Sequence, residues 1–231
     1  MERTSVGVAA AQQSGRQMFC GIELLAAPGA LVPRAETELL ARTALSLLPS
    51  SRGRDLRVVD MCCGSGNLAR FVAHEVRSAQ VWAADLTTPC VELARRNAAH
   101  VGVKDRVHVL QGDLWEAIHD LELEGTVDLV MCNPPYISTG KLEGDSAALL
   151  ELEPREAFDG GPYGLSIHQR VIAGAPRFVK TGGWLCFEFG LGQERQLEKL
   201  FERAKVWEEF RTVADPGGAP RVAAARLRLL P

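Results

Sequence analysis

Val58-Val59-Asp60-Met61-Cys62-Cys63-Gly64-Ser65-Gly66-Asn67-Leu68-Ala69 decides the fold. An apolar run of strand composition enters a Gly-x-Gly turn, and a helix opens behind it with Leu68, Phe71, Val72 and Val76 at helical spacing. Glycines at such a turn let the backbone reverse tightly and lie close to a ligand. The next apolar strand, Gln80-Val81-Trp82-Ala83-Ala84, ends in Asp85, a carboxylate placed to hold both hydroxyls of a ribose. Strand, glycine turn, helix and acidic strand end together describe the nucleoside-binding unit of a parallel α/β sheet.

A second stretch narrows the ligand. Val127-Asp128-Leu129-Val130-Met131-Cys132 runs directly into Asn133-Pro134-Pro135-Tyr136. At average residue usage this tetrapeptide occurs by chance roughly once in a thousand chains of this length. Two prolines cannot continue a sheet ladder, so the strand stops and opens a rigid loop at the edge where α/β sheets bind ligands. The loop offers an amide side chain, carbonyls without competing N–H groups, and an aromatic ring. That set suits a flat group bearing NH₂: Asn133 Oδ1 and the Pro134 carbonyl accept its two hydrogens while Tyr136 covers its face. Asn133, Pro134 and Tyr136 are thus the expected catalytic residues, with Pro135 completing the acceptor site. Gly64-Ser65-Gly66-Asn67-Leu68-Ala69 also fits the G-x-G-x-x-A of a dinucleotide site, so an NAD-dependent dehydrogenase competes. That reading leaves the Asn133 loop unexplained and sets Asp60 beside a pyrophosphate. S-adenosylmethionine needs no phosphate cradle, and its cationic amino-acid end suits Asp60. The expected cofactor residues are Asp60, Cys62, Cys63, Gly64, Ser65, Gly66, Asp85, Asn133, and Asp113 with Leu114 flanking the adenine.

Outward from these motifs, helical and strand periods alternate, so a mainly parallel sheet covered by helices is expected. Met18 to Val32 reads as a hairpin turning at Pro28-Gly29, and Glu36 to Leu48 as an amphipathic helix. Strands are expected at 57–62, 80–85, 106–112 and 127–132, with helices near 66–77 and 88–101. Trp184 to Phe189 is a fifth strand, flanked by helical spacing at Val171–Val179 and at Leu197–Ala204. Asp215-Pro216-Gly217-Gly218 joins strands 207–214 and 221–228 as an antiparallel hairpin. Residues 138–162 read as one long loop bordering the acceptor site. Residues 1–17 are expected to be a disordered leader, and 18–231 a single catalytic domain in which 18–49 precede the sheet core.

Composition agrees with one enzyme domain. The 231 residues carry 26 basic and 29 acidic side chains, with no basic tail, which weighs against a nucleic-acid partner. No stretch approaches a membrane span. The six cysteines form no C-x-x-C pair and are read as reduced thiols of a cytoplasmic protein; no metal site is expected. His74, His100, His108, His119 and His168 lack ligand spacing and are read as surface or helix-end residues.

The motifs, in this order, resemble the HemK-type protein-(glutamine-N5) methyltransferases. The resemblance spans about residues 18–228 and includes Leu31-Val32-Pro33-Arg34-Ala35-Glu36-Thr37-Glu38, Gly112-Asp113-Leu114, Glu153-Pro154-Arg155 and Asp159-Gly160-Gly161. It implies the class I methyltransferase (Rossmann-like) fold: seven strands, mainly parallel, ending in an antiparallel hairpin. It also implies N-methylation with S-adenosylmethionine, by family default of a protein glutamine. Cys62 stands where the family has its first motif glycine, and Ala35 where it has a second proline. The family's separate N-terminal helical domain has no counterpart in these residues. A small-molecule or peptide acceptor is therefore the nearest alternative, and a partner subunit or second copy is expected to help if the acceptor is a protein. Nucleic-acid amino groups and a non-catalytic adaptor stand further back.

Overall fold

The computed structural model describes residues 2–49 and 54–228. Helix α1 (Glu2–Ser14) precedes a small hairpin, β1 (Arg16–Phe19) with β2 (Ile22–Leu25), and helix α2 (Ala35–Leu47). Strands and helices then alternate: β3 (Leu56–Met61), α3 (Asn67–Glu75), β4 (Ala79–Asp85), α4 (Thr88–His100), β5 (Val107–Gln111) and β6 (Val127–Cys132). A short helix, α5 (Thr139–Glu143), leads through helical turns to α6 (Ser166–Phe178), β7 (Val179–Glu188) and α7 (Glu194–Ala204). Strands β8 (Trp207–Ala214) and β9 (Pro220–Leu227) close the described chain.

The main sheet has seven strands among the described residues, in the order β5-β4-β3-β6-β7-β9-β8. Pairings from β5 to β7 are parallel, and those of β9 with β7 and β8 antiparallel. This is the α/β class I methyltransferase fold that the motifs imply.

Alternation along each strand divides the core between the two faces of the sheet. Val58, Val81 and Leu129 face α2 and α3, where Leu40, Ala44, Leu68 and Val72 pack. Val59, Val130, Leu185 and Phe187 face α6 and α7, against Val171, Phe178, Leu197 and Phe201. A strand buried on both faces must be apolar throughout, and this is why β6, buried at every position, reads as a continuous run.

Two expectations are corrected. The expected leader is helical over Glu2–Ser14, because Val8 and Ala11 find an apolar partner in Ala26 and Val32. The hairpin turns at Cys20-Gly21, not Pro28-Gly29: both turn residues have positive φ, 50° and 80°, as a two-residue hairpin turn requires. His168 is a helix-end residue, in the first turn of α6, and is fully buried there, its Nε2 2.9 Å from the Glu188 carbonyl and its ring edge-on to Phe187. Burial lowers His168 to about 4, so it is neutral. The 138–162 stretch is also more ordered than a plain loop: it holds α5 and helical turns at Ala147–Glu151 and Arg155–Ala157, and Ile137 pairs with Asp159. Met1, 50–53 and 229–231, which the expected leader and domain include, lie outside the described residues.

Candidate active site

Strand order reverses between β3 and β6, and the loops leaving those strands open a cleft at the carboxyl edge, where such sheets bind ligands. Its volume is about 930 Å³ with the open mouth included. Cys62, Cys63 and Gly64 line it from the β3 turn, Asp85 and Leu86 from the end of β4, Asp113 and Leu114 from beyond β5, and Asn133 and Pro135 from beyond β6. Pro154, Glu156 and Ala157 of the long loop close another side.

The glycine turn is built from backbone requirements. Gly66, at φ 73°, starts α3 in the left-handed region, and a Cβ there would meet the Ala94 Cβ at 3.0 Å. Gly64 is also left-handed, at φ 53°, with open space where a side chain would stand. Cys62 shares that geometry at φ 56° without being glycine. This explains the family's glycine at this position: a residue with a Cβ is strained there by about 1–2 kcal/mol.

Asp85 organises the turn. Its Oδ2 accepts the Gly64 N–H at 2.8 Å, and its Oδ1 accepts the N–H and hydroxyl of Thr87 at 3.0 and 3.3 Å. The carboxylate is thereby held at the cleft wall, half-buried, with lone pairs left for a diol. Asp113 accepts from Arg170 Nη2 at 2.8 Å, and Leu114 turns into the cleft at φ 52°.

Asp60 and Ser65 do not line the cleft. Ser65 is buried, and its carbonyl accepts the Asn97 amide at 2.9 Å. Asp60 is fully buried behind the turn, where its Oδ2 accepts the Ala69 N–H at 2.9 Å and so caps α3. Its Oδ1 has no partner among the described residues. Burial raises its carboxyl to about 8, with Asp85 adding a like charge. An orphaned acidic oxygen behind a glycine turn fits a cationic group arriving in front of it.

On the other side of the cleft, Asn133 belongs to a chain of polar groups that the sequence reading missed. Its Nδ2 donates to Thr37 Oγ1 at 3.3 Å, and Thr37 donates to Glu188 Oε2 at 2.9 Å. Glu188 Oε1 accepts the Tyr136 hydroxyl at 2.9 Å, and Arg221 Nη2 donates to the Tyr136 oxygen at 3.1 Å. Glu188 and Thr37 are almost wholly buried. Burial raises Glu188 to about 7 against the hydrogen bonds from Tyr136 and Thr37 and the charge of Arg221, which favour the carboxylate. Glu188 is the charged residue inside the apolar run Leu185–Phe189, and Cys132 pairs with Phe187 in register, so Asn133 and Glu188 leave neighbouring strands together.

This network relocates Tyr136. The sequence reading has its ring covering a planar ligand; in the structure neither Tyr136 nor Pro134 lines the cleft. The phenol is drawn away because a hydrogen bond to a buried carboxylate is stronger than one to water. Arg221 lies 5.9 Å from the ring centroid. Pro134 contributes a carbonyl that accepts no hydrogen bond among the described residues. The neighbouring backbone is pinned: the Tyr136 carbonyl accepts Gln193 Nε2 at 2.9 Å, and a Cβ on Gly164 would stand 2.3 Å from the same oxygen. Arg34 pairs with the buried Glu153, whose other oxygen accepts the Val32 N–H at 2.8 Å, tying the segment before α2 to the long loop.

Fold and cleft together define a class I S-adenosylmethionine-dependent methyltransferase. The chain matches the methyltransferase small domain family over residues 35–151. It is 36% identical to the release factor glutamine methyltransferase of Geobacter sulfurreducens, over 92% of this chain and 71% of that protein. It is equally 36% identical to the 4-amino-L-phenylalanine/4-methylamino-L-phenylalanine methyltransferase of Streptomyces pristinaespiralis, over 84% of this chain and 65% of that one. A methyltransferase structure from Pyrococcus furiosus shares the fold, with a TM-score of 0.65 at 15% identity, covering 99% of this chain and 100% of that one. The chain belongs to the release factor glutamine methyltransferase family. It is an N-methyltransferase whose cofactor is S-adenosylmethionine, and the dehydrogenase alternative falls. Among the described residues, no helix is long and apolar enough to cross a membrane, and no cluster of three or more His, Cys, Asp or Glu could hold a metal.

Proposed function

We propose that this enzyme methylates the side-chain amide nitrogen of a glutamine in a protein acceptor. The observation that carries the reading is the orientation of Asn133. Its Nδ2 donates to Thr37, which leaves Oδ1, on a residue that lines the cleft, free to accept. An acceptor of that kind matches one hydrogen of a planar NH₂, and the Pro134 carbonyl, which accepts no hydrogen bond among the described residues and stands just outside the cleft lining, is the candidate for the other. Several relatives named release factor glutamine methyltransferase, at 31–36% identity over most of the chain, support a glutamine in a protein as the acceptor class.

Bound, S-adenosylmethionine supplies an electrophilic methyl on a positively charged sulfur. Asp85 would hold the ribose hydroxyls, Asp113 and Leu114 the adenine, and the turn Cys62–Gly66 with Asp60 behind it the amino-acid end. An amide nitrogen is a weak nucleophile because its lone pair is delocalised into the carbonyl. Hydrogen bonds from its NH₂ to Asn133 Oδ1 and the Pro134 carbonyl raise the electron density on nitrogen and fix its direction. They strengthen as positive charge develops there, so they favour the transition state over the bound acceptor. The proton leaves after transfer, and no general base is required.

The Streptomyces relative supports a second reading, in which the acceptor is a small aromatic amine. It presents the same planar NH₂ to the same two oxygens. Incubation with labelled cofactor and either a release factor or 4-amino-L-phenylalanine separates them. The first reading requires label on a release-factor glutamine, and label on the amino acid alone overturns it. The six cysteines, free in the structure, fit a cytoplasmic enzyme.

A further inference from the structure

An Asn side chain has two ends of equal size and opposite polarity, and only one of them serves an acceptor NH₂. If Asn133 turned its own NH₂ toward the cleft, donor would meet donor and the acceptor nitrogen would be pushed away. Nothing in Asn133 itself chooses between the two orientations. The choice comes from three hydrogen bonds in series.

An ionised Glu188 can only accept, and it accepts from Thr37 Oγ1 at 2.9 Å and from the Tyr136 hydroxyl at 2.9 Å. The single hydroxyl hydrogen of Thr37 is therefore spent on Glu188, and Thr37 Oγ1 has only lone pairs left. Those lone pairs can meet only a donor, so Asn133 turns Nδ2 toward Thr37, at 3.3 Å, and Oδ1 toward the cleft. The Arg34 backbone N–H, 3.4 Å from Thr37 Oγ1, reinforces the accepting role. A protonated Glu188 reverses the logic. It can donate to Thr37, whose hydrogen is then free to point at Asn133 and to stabilise the flipped amide.

We propose that Glu188 and Thr37 are positioning residues that set which end of the Asn133 amide faces the acceptor, with the buried carboxylate at the head of the chain. The proposal rests on the reading that Asn133 Oδ1 receives the acceptor NH₂. It assigns a role to a carboxylate that touches neither cofactor nor acceptor, and it explains why an acidic residue is kept inside an apolar strand. The groups around Glu188 are Thr37 and Glu36 of α2, Tyr136, Arg221 of β9, whose Nη2 lies 3.9 Å from both carboxylates, and His168 of α6 at its backbone carbonyl. Arg221 and the two hydroxyl donors favour the charged form, burial and Glu36 oppose it, and the balance puts the group at about 7. His168 titrates near 4 and is silent in that range.

The test has two arms. In the first, single-turnover methyl transfer at saturating S-adenosylmethionine is followed from pH 5.5 to 9 with a release factor, or with 4-amino-L-phenylalanine, as acceptor. The parent rate should rise as pH passes through about 7, as Glu188 ionises. Glu188→Gln should be slower by at least about tenfold at pH 8 and lose that rise. Thr37→Val, of equal size, should lose a similar factor, and Thr37→Ser should recover most of it. Affinity for S-adenosylhomocysteine should stay within about twofold in all three. Parent-like rates in Thr37→Val, or an unchanged pH profile in Glu188→Gln, overturn the proposal.

The second arm needs no acceptor. The Asn133 side-chain NH₂ resonances, assigned by their loss in Asn133→Ala, are followed by nitrogen–proton NMR across the same pH range. They should shift with the Glu188 titration in the parent and not in Thr37→Val. A parent that methylates neither acceptor defeats the proposed function while this arm still decides the positioning role. Resonances that ignore pH in the parent defeat the positioning role whatever the acceptor.

Discussion

Replacing Asp85 by alanine removes a carboxylate with two roles, and the structure sets the size of the effect. The sequence alone suggests that two ribose hydroxyls lose their partner, worth about 1–3 kcal/mol. Asp85 also holds the cofactor turn itself, through Gly64 N–H at 2.8 Å, and the start of the next loop, through Thr87 N–H at 3.0 Å. Both are backbone donors to a charged acceptor, a kind of bond worth about 1.5–3 kcal/mol each. Water can replace part of this, because Asp85 is only half-buried. A combined loss of about 3–4 kcal/mol in cofactor binding is expected, a few hundredfold in Kd at about 1.4 kcal/mol per tenfold. Calorimetric titration with S-adenosylhomocysteine reads this without any acceptor. Asp85→Asn should recover little, since its NH₂ must face one of the N–H donors. A Kd for Asp85→Ala within twofold of the parent would refute the assignment of the ribose to this strand end.

Two further predictions concern the glycine turn. Cys62→Gly relieves a left-handed strain of about 1–2 kcal/mol but adds about 0.5–1 kcal/mol of unfolded-chain entropy, so a melting temperature equal to or a few degrees above the parent's is expected; a clear drop would show that the thiol itself holds the turn. Asp60 is raised in the folded chain from 3.8 to about 8, so folding retains a proton there that the unfolded chain has lost. Stability from this group is complete below about pH 4 and disappears as pH rises through about 8. Asp60→Asn keeps the bond from the Ala69 N–H and should flatten the fall of melting temperature between pH 5 and 8, since what remains there is the fall from Glu188, which ends near pH 7, opposed below about pH 6.5 by the rise from the buried neutral His168; equal slopes in parent and variant would contradict the burial of a protonated carboxyl.

The sheet was legible because its signals are local. β3 and β6 declare themselves as apolar runs, and the glycine turn and the two prolines mark where those runs end. Where a signal needed a partner from elsewhere in the chain, the sequence was silent. Helix α1 is anchored by Val8 and Ala11, small residues whose apolar face exists only because Ala26 and Val32 are brought beneath it. The true hairpin turn carries a positive φ on Cys20, a residue that does not advertise one, whereas Pro28-Gly29 has the composition of a turn. The cleft residues on the backbone turns, Cys62 to Gly64, Asp85, Asp113, Leu114 and Asn133, were all readable from motif position. The partners of the Tyr136 hydroxyl could not be read, because Glu188 and Arg221 lie 52 and 85 residues away in sequence. Asp60 was placed correctly beside the turn, but its side chain caps α3 from behind instead of lining the cleft.

The central claim is that Asn133 presents its oxygen to the acceptor nitrogen and so lowers the barrier to transfer. Single-turnover methyl transfer to a release factor at saturating S-adenosylmethionine, parent against Asn133→Ala, tests it most directly. Loss of a hydrogen bond that tightens in the transition state should slow transfer by about 10²–10³. Folding should be retained, because Pro134 and Pro135 still shape the loop and Gln193 still holds the Tyr136 carbonyl. A variant that transfers methyl within about fivefold of the parent would contradict the account, and would place the acceptor nitrogen elsewhere than at Asn133.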